Sequence, residues 1–254
     1  MLKQNLWLRI AALALAGMII AFGIERRLTA PRPVTAAQAN ALRLHTPPGM
    51  AAVPGGECWL GSDDADADDD VKPKRRVNVS SYYIDVHEVT NEEFRRFDAN
   101  HTIVSGQARL PATNITYDQA AAYAKWAGKR LPTEAEWEKA ARGTDGRRYP
   151  WGDVWDPRKV APRARRGKES APLPAPTVGG KFCFLGPART QTVGSVPSGV
   201  SPYGCVDMAG NAWEWVQGNY NGNPDQRILR GGAVGYSERA FRTYNRAIEG
   251  SGDT

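Results

Sequence analysis

DMAGNAWEW, residues 207–215, is the stretch from which the fold of this chain is best approached. It combines two carboxylates, a Gly-Asn pair typical of turns and two tryptophans within nine residues. The alternation from Ala212 to Val216 predicts a short strand with Trp213 and Trp215 on one face and Glu214 on the other. Because each tryptophan buries a large apolar area, we expect this pair to anchor a core.

The two carboxylates of this stretch, Asp207 and Glu214, flank the Gly-Asn turn. Together with main-chain carbonyls that point into the turn, they would form an oxygen cage of the kind that a hard cation such as calcium prefers. Alternatively, both carboxylates accept backbone N–H groups in a tight turn and bind no ion. The spacing alone leaves both interpretations open.

The composition is typical of one globular domain with a single substantial core. The chain has 254 residues, of which 41% are hydrophobic and eight are tryptophan. Its formal net charge of +6 is moderate, and its basic residues are scattered among acidic ones rather than striped with aromatic residues. We therefore expect no nucleic-acid partner.

The chain begins with an apolar run suited to a membrane-targeting segment. Residues 10–24 carry no charge and, as a helix, would be about 22 Å long, shorter than the roughly 30 Å hydrocarbon core of a bilayer. Residues 1–27 are therefore predicted to be a signal anchor or a signal peptide. A linker rich in proline and alanine is predicted over 28–49, and a folded domain over 50–254. The domain is expected outside the cytoplasm, either membrane-anchored in the periplasm or at the cell surface, or secreted.

Three helix starts carry a capping-box pattern, in which a threonine and a Glu or Gln three residues later satisfy each other's free backbone N–H groups. The pairs are Thr90 with Glu93, Thr116 with Gln119, and Thr133 with Glu136. We expect the apolar faces of these helices to belong to the core. From about residue 154 to 190, prolines and basic residues replace this pattern, which predicts a loop insertion at the surface.

An acidic run of six aspartates precedes a short basic run. Asp64, Asp66 and Asp68 have the spacing of the first ligands of an EF-hand loop. Asp69 stands where that loop needs glycine, and Arg75 stands where it needs glutamate, which excludes an EF-hand. The run is predicted to be a solvated loop, neutralised in part by the bases that follow it, namely Lys72, Lys74, Arg75 and Arg76.

Several motifs occur in an order that resembles one known family. They are Pro54-Gly55-Gly56, Tyr83-Ile84-Asp85, Glu88-Val89-Thr90-Asn91, Lys129–Glu138 (KRLPTEAEWE), Ala140-Ala141-Arg142-Gly143, Tyr149-Pro150-Trp151-Gly152-Asp153, the GNAWEW run and Arg230-Gly231-Gly232. Together they resemble the formylglycine-generating enzyme family, also called the sulfatase-modifying factor family. The resemblance implies an α+β domain with the family's variant of the C-type-lectin-like fold, in which regular secondary structure is low.

The resemblance also implies how the chain ends. Residues 241–246 resemble the family's arginine-rich segment near the C-terminus, after which a loop and a terminal Gly-Phe-Arg strand follow in the family. Thr254 falls within the expected loop. The closing strand is therefore expected to be absent from this sequence, either because the sequence is a fragment or because the strand has been lost, and a lost strand would leave a sheet edge exposed.

The cysteines depart from the pattern of the family's aerobic members, which bind copper through two cysteines downstream of the RGG motif. No cysteine lies between Ala233 and Thr254, and Ala233 replaces the serine that the family places directly after RGG. Copper(I) needs soft thiolate ligands, so copper is not expected here. Of the remaining cysteines, Cys183 and Cys205 are candidates for a disulfide that the sequence alone does not decide.

Two sets of site residues follow from the resemblance. The family's structural calcium site corresponds here to the Asp207 side chain, the Gly210 and Ala212 carbonyls and the Glu214 carboxylate. The family's substrate groove lies beside the RGG segment, and we expect it to be lined by Tyr236, Glu238, Arg242 and Asn245.

Three functions are compatible with these expectations. The first is a domain that binds a protein or small-molecule ligand, or a divergent enzyme, without the copper pair. The second is a formylglycine-generating oxidase that converts a cysteine of a sulfatase, with its copper cysteines at other positions or beyond Thr254. The third is an oxidative tailoring enzyme like the family's siderophore-maturation members, which also lack the pair.

Overall fold

The computed structural model describes residues 35–161 and 190–250. The apolar run of residues 10–24, most of the predicted insertion, Cys183 and the last four residues lie outside these ranges. The predictions of an anchor and of a Cys183–Cys205 disulfide therefore concern residues that are not described. Within the described ranges, no helix combines the length and apolarity needed to cross a membrane.

Small antiparallel sheets supply the β part of the described fold. The first pairs β1 (Met50–Val53) with β4 (Tyr82–Asp85), and the second pairs β2 (Gly56–Leu60) with β3 (Arg75–Val79). The third has the order β5 (Glu214–Asn219), β6 (Gln226–Arg230) and β7 (Arg246–Gly250). Because long loops separate short elements, the predicted α+β class with modest regular structure is confirmed.

A helix occupies part of the stretch predicted to be a linker. In front of α1 (Ala36–Leu44), the Thr35 hydroxyl accepts the backbone N–H of Gln38 at 3.2 Å, and the Gln38 side chain accepts the N–H of Thr35 at 2.9 Å. The Tyr83 hydroxyl in β4 donates to the carbonyl of Leu42 at 3.1 Å, which ties this helix to the first sheet. The linker prediction relied on the prolines and missed this fourth capping box.

The other three helices begin at the threonines predicted from the sequence. They are α2 (Asn91–Phe97), α3 (Tyr117–Trp126) and α4 (Glu134–Arg142). In each, the threonine hydroxyl and the side chain three residues later bond to each other's backbone N–H groups. Phe94 of α2 and Ala124 of α3 are buried, whereas Phe97 is only half-buried. The capping-box predictions are confirmed.

The centre of the core is α4. Its Trp137, Ala140 and Ala141 are fully enclosed and belong to one cluster with Val53 of β1 and Val216 of β5. Burial of an apolar side chain of this size stabilises the fold by about 1.5–3 kcal/mol. This helix therefore holds the first and third sheets together.

The tryptophans of the GNAWEW run do not anchor this core. β5 begins at Glu214, so Trp213 precedes the strand, and only Trp215 alternates with Glu214 and Val216 within it. Both tryptophans are only half-buried, and Trp215 packs edge-on against Tyr117 at the start of α3, with ring centroids 5.8 Å apart. It is Val216 that enters the core, and the Glu214 carboxylate that contacts α4. A strand was predicted correctly, but it begins two residues later than expected, and the core face was assigned to the wrong side of it.

The stretch after the arginine-rich segment is a strand rather than the expected loop. β7 begins at Arg246 and continues the third sheet, with Ile248 opposite Ile228 of β6. The buried Ala247 alternates with the more exposed Arg246 and Ile248. This alternation, over only a few residues, was too short to be separated from a loop in the sequence.

Candidate functional site

The turn predicted to bind calcium has an unusual backbone. Asp207, Gly210 and Asn211 have positive φ angles of 57°, 96° and 63°. Aspartate and asparagine tolerate this left-handed region better than most residues, because their short polar side chains bond to nearby backbone groups. The Asn211 side chain accepts the N–H of Gln191 at 2.8 Å and donates to its carbonyl at 3.2 Å. The turn thereby fixes the chain that follows residue 190.

Three carboxyl groups meet at this turn, those of Glu88, Asp207 and Glu214. Each accepts a hydrogen bond: Glu88 Oε1 from the Ala212 N–H at 3.2 Å, Asp207 Oδ2 from the Gly194 N–H at 2.6 Å, and Glu214 Oε2 from the Trp137 indole N–H at 2.9 Å. Within the described residues, no lysine or arginine is among their hydrogen-bond partners. The site is therefore rich in negative charge.

Burial of these carboxyl groups is the main cause of their altered acidity. It raises the pKa of Glu88 well above its ordinary value, and the neighbouring charges of Asp207 and Glu214 raise it further. Burial likewise raises the pKa of Asp207, against the opposing hydrogen bonds from Gly194 and Glu88, and raises the pKa of Glu214 to about 7. A cation at this place would relieve the repulsion among these groups.

The chemistry of the donors fits calcium. In the described ranges, no three or more His, Cys, Asp or Glu side chains are arranged to hold a metal. The predicted calcium site is of a different kind, because it combines only two carboxylates with two main-chain carbonyls. Asp207 and Glu214 each have a second oxygen besides the one that accepts the bond above. Outside the strands, no described backbone N–H donates to the carbonyl of Gly210 or Ala212. Four hard oxygen donors are the kind that calcium takes.

The RGG motif packs the C-terminal segment against this turn. The Gly231 carbonyl accepts the N–H of Gly210 at 2.8 Å. Gly232 has a φ of +79°, and a Cβ there would lie 2.7 Å from the Phe241 ring and 2.8 Å from the carbonyl oxygen of Ala240. Because the backbone oxygen has no room to move aside, only glycine fits this position.

The arginine of the motif, Arg230, is fully buried and forms ion pairs with α4. Its guanidinium contacts Glu138 at 2.5 Å and Glu134 at 3.0 Å, and it donates to the carbonyls of Thr243 and Tyr244 at 2.7 and 3.2 Å. Glu138 also contacts the buried Arg142 at 2.6 Å. These bonds hold the segment that carries the predicted groove residues on the central helix.

Two of the predicted groove residues, Glu238 and Arg242, meet at Tyr149. The Tyr149 hydroxyl donates to the exposed Glu238 carboxylate at 2.6 Å, and Arg242 contacts the same hydroxyl. Burial, reinforced by the bond to Glu238, raises the pKa of Tyr149 to about 12. Arg242 is buried and donates to Asp66 at 2.7 Å, a bond that raises the pKa of the guanidinium.

The other two predicted groove residues lie at either end of this segment. Tyr236 is half-buried and packs edge-on against Trp213, with ring centroids 5.5 Å apart. Asn245 is buried, and its backbone N–H donates to the carbonyl of Arg242 at 2.9 Å. Tyr236 therefore lies beside the GNAWEW run, while Asn245 belongs to the turn that leads into β7.

The acidic run is an exposed loop, as predicted, but its aspartates take other partners than the bases that follow them. Alternate aspartates pair with distant arginines: Asp64 with Arg148 at 2.9 Å, Asp66 with Arg242 at 2.7 Å, Asp68 with Arg239 at 2.6 Å, and Asp70 with Arg246 at 2.9 Å. Of the bases expected to neutralise it, only Lys72 forms an ion pair within the run, with Asp69 at 3.4 Å. Lys74 and Arg76 instead lie over the Trp59 ring. We call residues 62–71 the acidic loop.

These pairs change the acidity of the aspartates. The hydrogen bond from Arg242 lowers the pKa of Asp66. Burial opposes the same effect at Asp64, but the hydrogen bonds from Tyr244 and Arg148 outweigh it and lower its pKa as well. The ionised forms of Asp64 and Asp66 are therefore favoured, in contrast to those of the carboxyl groups at the turn.

The described cysteines, Cys58 and Cys205, are free thiols with no exposed surface. Burial raises the pKa of Cys58 to about 11 and that of Cys205 to about 12. A thiol must ionise to act as a nucleophile or metal ligand, so both are structural residues of the interior.

Two residues of the site were missed at the sequence level. Glu88 was quoted only within a motif, although it bonds to the backbone of the calcium turn more than a hundred residues away. Tyr149 was likewise quoted only within a motif, although it joins Glu238 and Arg242. Both residues lie in motifs shared with the family, which was the available sign of their importance. Their positions in the sequence do not show which remote segment they contact.

Comparisons with known proteins agree with the motifs. Residues 35–253 match the family described as the Sulfatase-modifying factor enzyme 1-like domain. The inactive Cα-formylglycine-generating enzyme 2 of Bos taurus is 29% identical, and the match covers 72% of this chain and 75% of that protein. The formylglycine-generating enzyme of Thermomonospora curvata is 32% identical, and the match covers 66% of this chain and 70% of that protein.

Solved structures show the same fold. The structure of PvdO from Pseudomonas aeruginosa superposes with a TM-score of 0.57 at 25% identity, over 80% of this chain and 89% of that one. The Treponema denticola variable protein 1 superposes with a TM-score of 0.58 at 20% identity, over the same shares. The predicted fold type is thus confirmed, and the chain belongs to the sulfatase-modifying factor family.

Proposed function

We propose that this chain is a divergent, extracytoplasmic member of the family that binds a protein or small-molecule ligand and does not generate formylglycine with copper. The observation that carries the proposal is the absence of any cysteine between Ala233 and Thr254 in a chain that otherwise keeps the family's motifs. Cys58 and Cys205 do not replace the missing pair, because both thiols are buried and resist ionisation.

The groove proposed to receive the ligand lies beside the RGG segment. Tyr236, Glu238, Arg242 and Asn245 are its proposed lining. Support comes from the Tyr149–Glu238–Arg242 network, which offers an exposed carboxylate, a hydroxyl and a guanidinium close together. Such a polar group suits a ligand with polar groups of its own, and the Tyr236 ring, which packs against Trp213, would supply an apolar contact at the other end of the segment.

A structural calcium ion is part of the proposal. Asp207 and Glu214 would supply one carboxylate each, and Gly210 and Ala212 one carbonyl each. The ion would neutralise carboxyl groups whose burial is otherwise unfavourable. Its role would be to stiffen the turn that holds residues 190–194 and the RGG segment in place.

The proposed location rests on the apolar run of residues 10–24, read as a membrane anchor or signal peptide. Deletion of residues 1–30 should leave a soluble, folded domain, because α1 and its cap begin at Thr35. Recovery of this truncated protein only as aggregates would contradict the proposed boundary.

The test of function uses copper and a sulfatase-derived peptide that contains the target cysteine. We expect no tight copper(I) binding and no conversion of the peptide's cysteine, as followed by mass spectrometry. Detection of the aldehyde product would overturn the proposal in favour of a formylglycine-generating oxidase, the alternative that the similarity to the Thermomonospora curvata enzyme favours. That enzyme serves as the positive control.

A further inference from the structure

A cavity of about 500 Å³ opens between the start of the acidic loop and the turn that follows α4. Its lining comprises residues 62–64 and 74 on one side, and residues 142, 145–148 and 153 on the other. A volume of this size is in the range of ligand sites. None of the proposed calcium ligands or groove residues is part of this lining, so the cavity is a separate place in the molecule.

A glycine in the wall of the cavity makes room for a lysine ammonium group. Gly146 has a φ of +83°, and a Cβ there would lie 2.9 Å from Trp59 Cδ1 and 3.0 Å from Lys74 Nζ. The backbone conformation and these contacts both favour glycine. The Lys74 ammonium lies 4.7 Å from the centroid of the Trp59 ring, a cation–π contact that positions the charge without neutralising it.

Most other charged groups of the lining are bonded to protein partners. Arg147 pairs with Asp145 at 2.6 Å, and the Nε of Arg148 pairs with Asp64 at 2.9 Å. The buried Arg142 donates all its guanidinium nitrogens to a glutamate and to main-chain carbonyls. These groups form the frame of the cavity, and few of their hydrogen-bonding positions are left for a ligand.

Three charged groups of the lining have no oppositely charged partner among the described residues: the Lys74 ammonium and the carboxylates of Asp63 and Asp153. Asp63 Oδ1 accepts only the backbone N–H of Lys74 at 2.9 Å, and Asp153 Oδ1 accepts only that of Arg148 at 3.0 Å. The second oxygen of each carboxylate remains free within the described structure. The cavity therefore offers both signs of charge to a ligand.

We propose that this cavity binds a small zwitterion of the α-amino-acid class. The carboxylate of the ligand contacts the Lys74 ammonium and the Nη groups of Arg148, and its ammonium group is held by Asp63 and Asp153. Hydrogen bonds between charged groups are roughly twice as strong as neutral ones. A simple anion would meet the unpaired aspartates, and a simple cation would meet Lys74, so like charges select against both.

The experiment measures binding of amino acids to the full chain by titration calorimetry at pH 7. The probes are glycine, L-serine and L-glutamine, which share the zwitterionic head. Each is compared with its amide, which lacks the carboxylate, and with its N-acetyl derivative, which lacks the ammonium group. We expect at least one amino acid to bind saturably, and about tenfold more tightly than either of its derivatives.

Two variants assign the two charges of the ligand to the wall. Lys74→Gln should weaken binding of the amino acid about tenfold without weakening that of its amide. Asp63→Asn keeps an oxygen for the backbone N–H of Lys74, and should weaken binding of the amino acid but not of its N-acetyl derivative. Lys125→Gln and Asp118→Asn, at exposed positions of α3 outside the lining, should bind like the wild type.

Several results would overturn the proposed amino-acid site. They are the absence of saturable binding of all three amino acids, equal affinity for an amino acid and its two derivatives, and unchanged affinity in Lys74→Gln. Tighter binding of glucose than of the amino acids would likewise replace the zwitterion with a neutral polyol. The ligand series on the wild type alone decides the matter if a variant does not fold.

Discussion

The two acidic regions of this molecule have opposite electrostatic surroundings. At the turn, Glu88, Asp207 and Glu214 are buried near one another, and their pKa values are raised. In the acidic loop, Asp64 and Asp66 accept hydrogen bonds from arginine, and their pKa values are lowered. Among the described residues, no lysine or arginine bonds to the carboxyl groups of the first region, whereas arginines pair with the aspartates of the second.

This difference shows why an acidic cluster cannot be interpreted from its composition. The acidic loop has more aspartates and closer spacing than the turn, and it resembles a calcium loop more in its sequence. Its carboxylates are nevertheless taken by arginines, so it has little to offer a cation. The turn has fewer acids, but their charges are left for an ion to balance.

The largest effect is expected from a third kind of carboxylate, one that is both buried and paired. Glu138→Gln keeps the size of the side chain but removes the anion that Arg230 and Arg142, each only 1% exposed, share. Arg142 then has no carboxylate partner among the described ion pairs, and Arg230 keeps only Glu134. Removing one member of a buried pair costs about 3–5 kcal/mol, measured as the free energy of unfolding in urea. Because Glu134 is more exposed, Glu134→Gln should lower the free energy of unfolding by less. Equal losses for the two variants would mean that burial does not determine the cost.

The next effect is calcium binding at the turn. Binding to the folded state alone stabilises it by about 2.7 kcal/mol at a hundredfold excess over Kd, so the melting temperature should rise by several degrees in calcium and fall in chelator. Glu214→Gln should abolish most of that rise, whereas Asp225→Asn, at an exposed site, should not. A wild-type melting curve unchanged by calcium and chelator would mean that the turn holds only hydrogen bonds.

A change of pH should alter the melting temperature less than calcium does, because a proton neutralises only one carboxyl group, whereas calcium would bind two. In chelator, native Glu214, with a pKa of about 7, keeps a proton that the unfolded chain has already lost. The folded state then binds more protons, so stability falls as the pH rises from about 5 through about 7. The melting temperature of the wild type should show this fall, and that of Glu214→Gln should show less of it.

The acidic loop should respond to pH in the opposite sense. Because the pKa values of Asp64 and Asp66 are lowered in the folded protein, their contribution is present above the ordinary aspartate pKa and lost as the pH falls through the folded values. The protection factors of residues 62–71, which are the observed exchange rates corrected for the intrinsic rate of each amide at the same pH, should therefore fall on acidification. Protection factors that stay unchanged or rise at low pH would contradict the pairing with arginine.

The smallest effect is expected from single loop substitutions. Asp68→Asn removes an ion pair whose two side chains are 49% and 47% exposed. Pairs of this kind contribute about 0.2–1 kcal/mol, so the free energy of unfolding should change by no more than that. The change should shrink further in high salt, and a loss as large as that of Glu138→Gln would mean that the loop is part of the core.

Much of the local structure and the family were predictable from the sequence alone. Each capping box joins residues three positions apart, so the chain itself brings the partners together, and the three predicted helix starts are confirmed. The fold type was also predictable, because the order of the motifs along the chain can be compared with a known family without knowing how they pack. The same spacing is present at Thr35 and Gln38, but the neighbouring prolines led to the prediction of a linker instead of a helix.

Only the tertiary structure decided which partners the charged and aromatic side chains take. Asp66 pairs with Arg242, 176 positions away, rather than with the basic residues that follow it in sequence. Trp215 lies outside the main core because Val216 and Glu214 face α4. Such choices depend on which surfaces the packed helices and sheets bring together. For two residues farther apart in sequence than one helical turn or one strand pair, the spacing does not tell how close they lie in the folded protein.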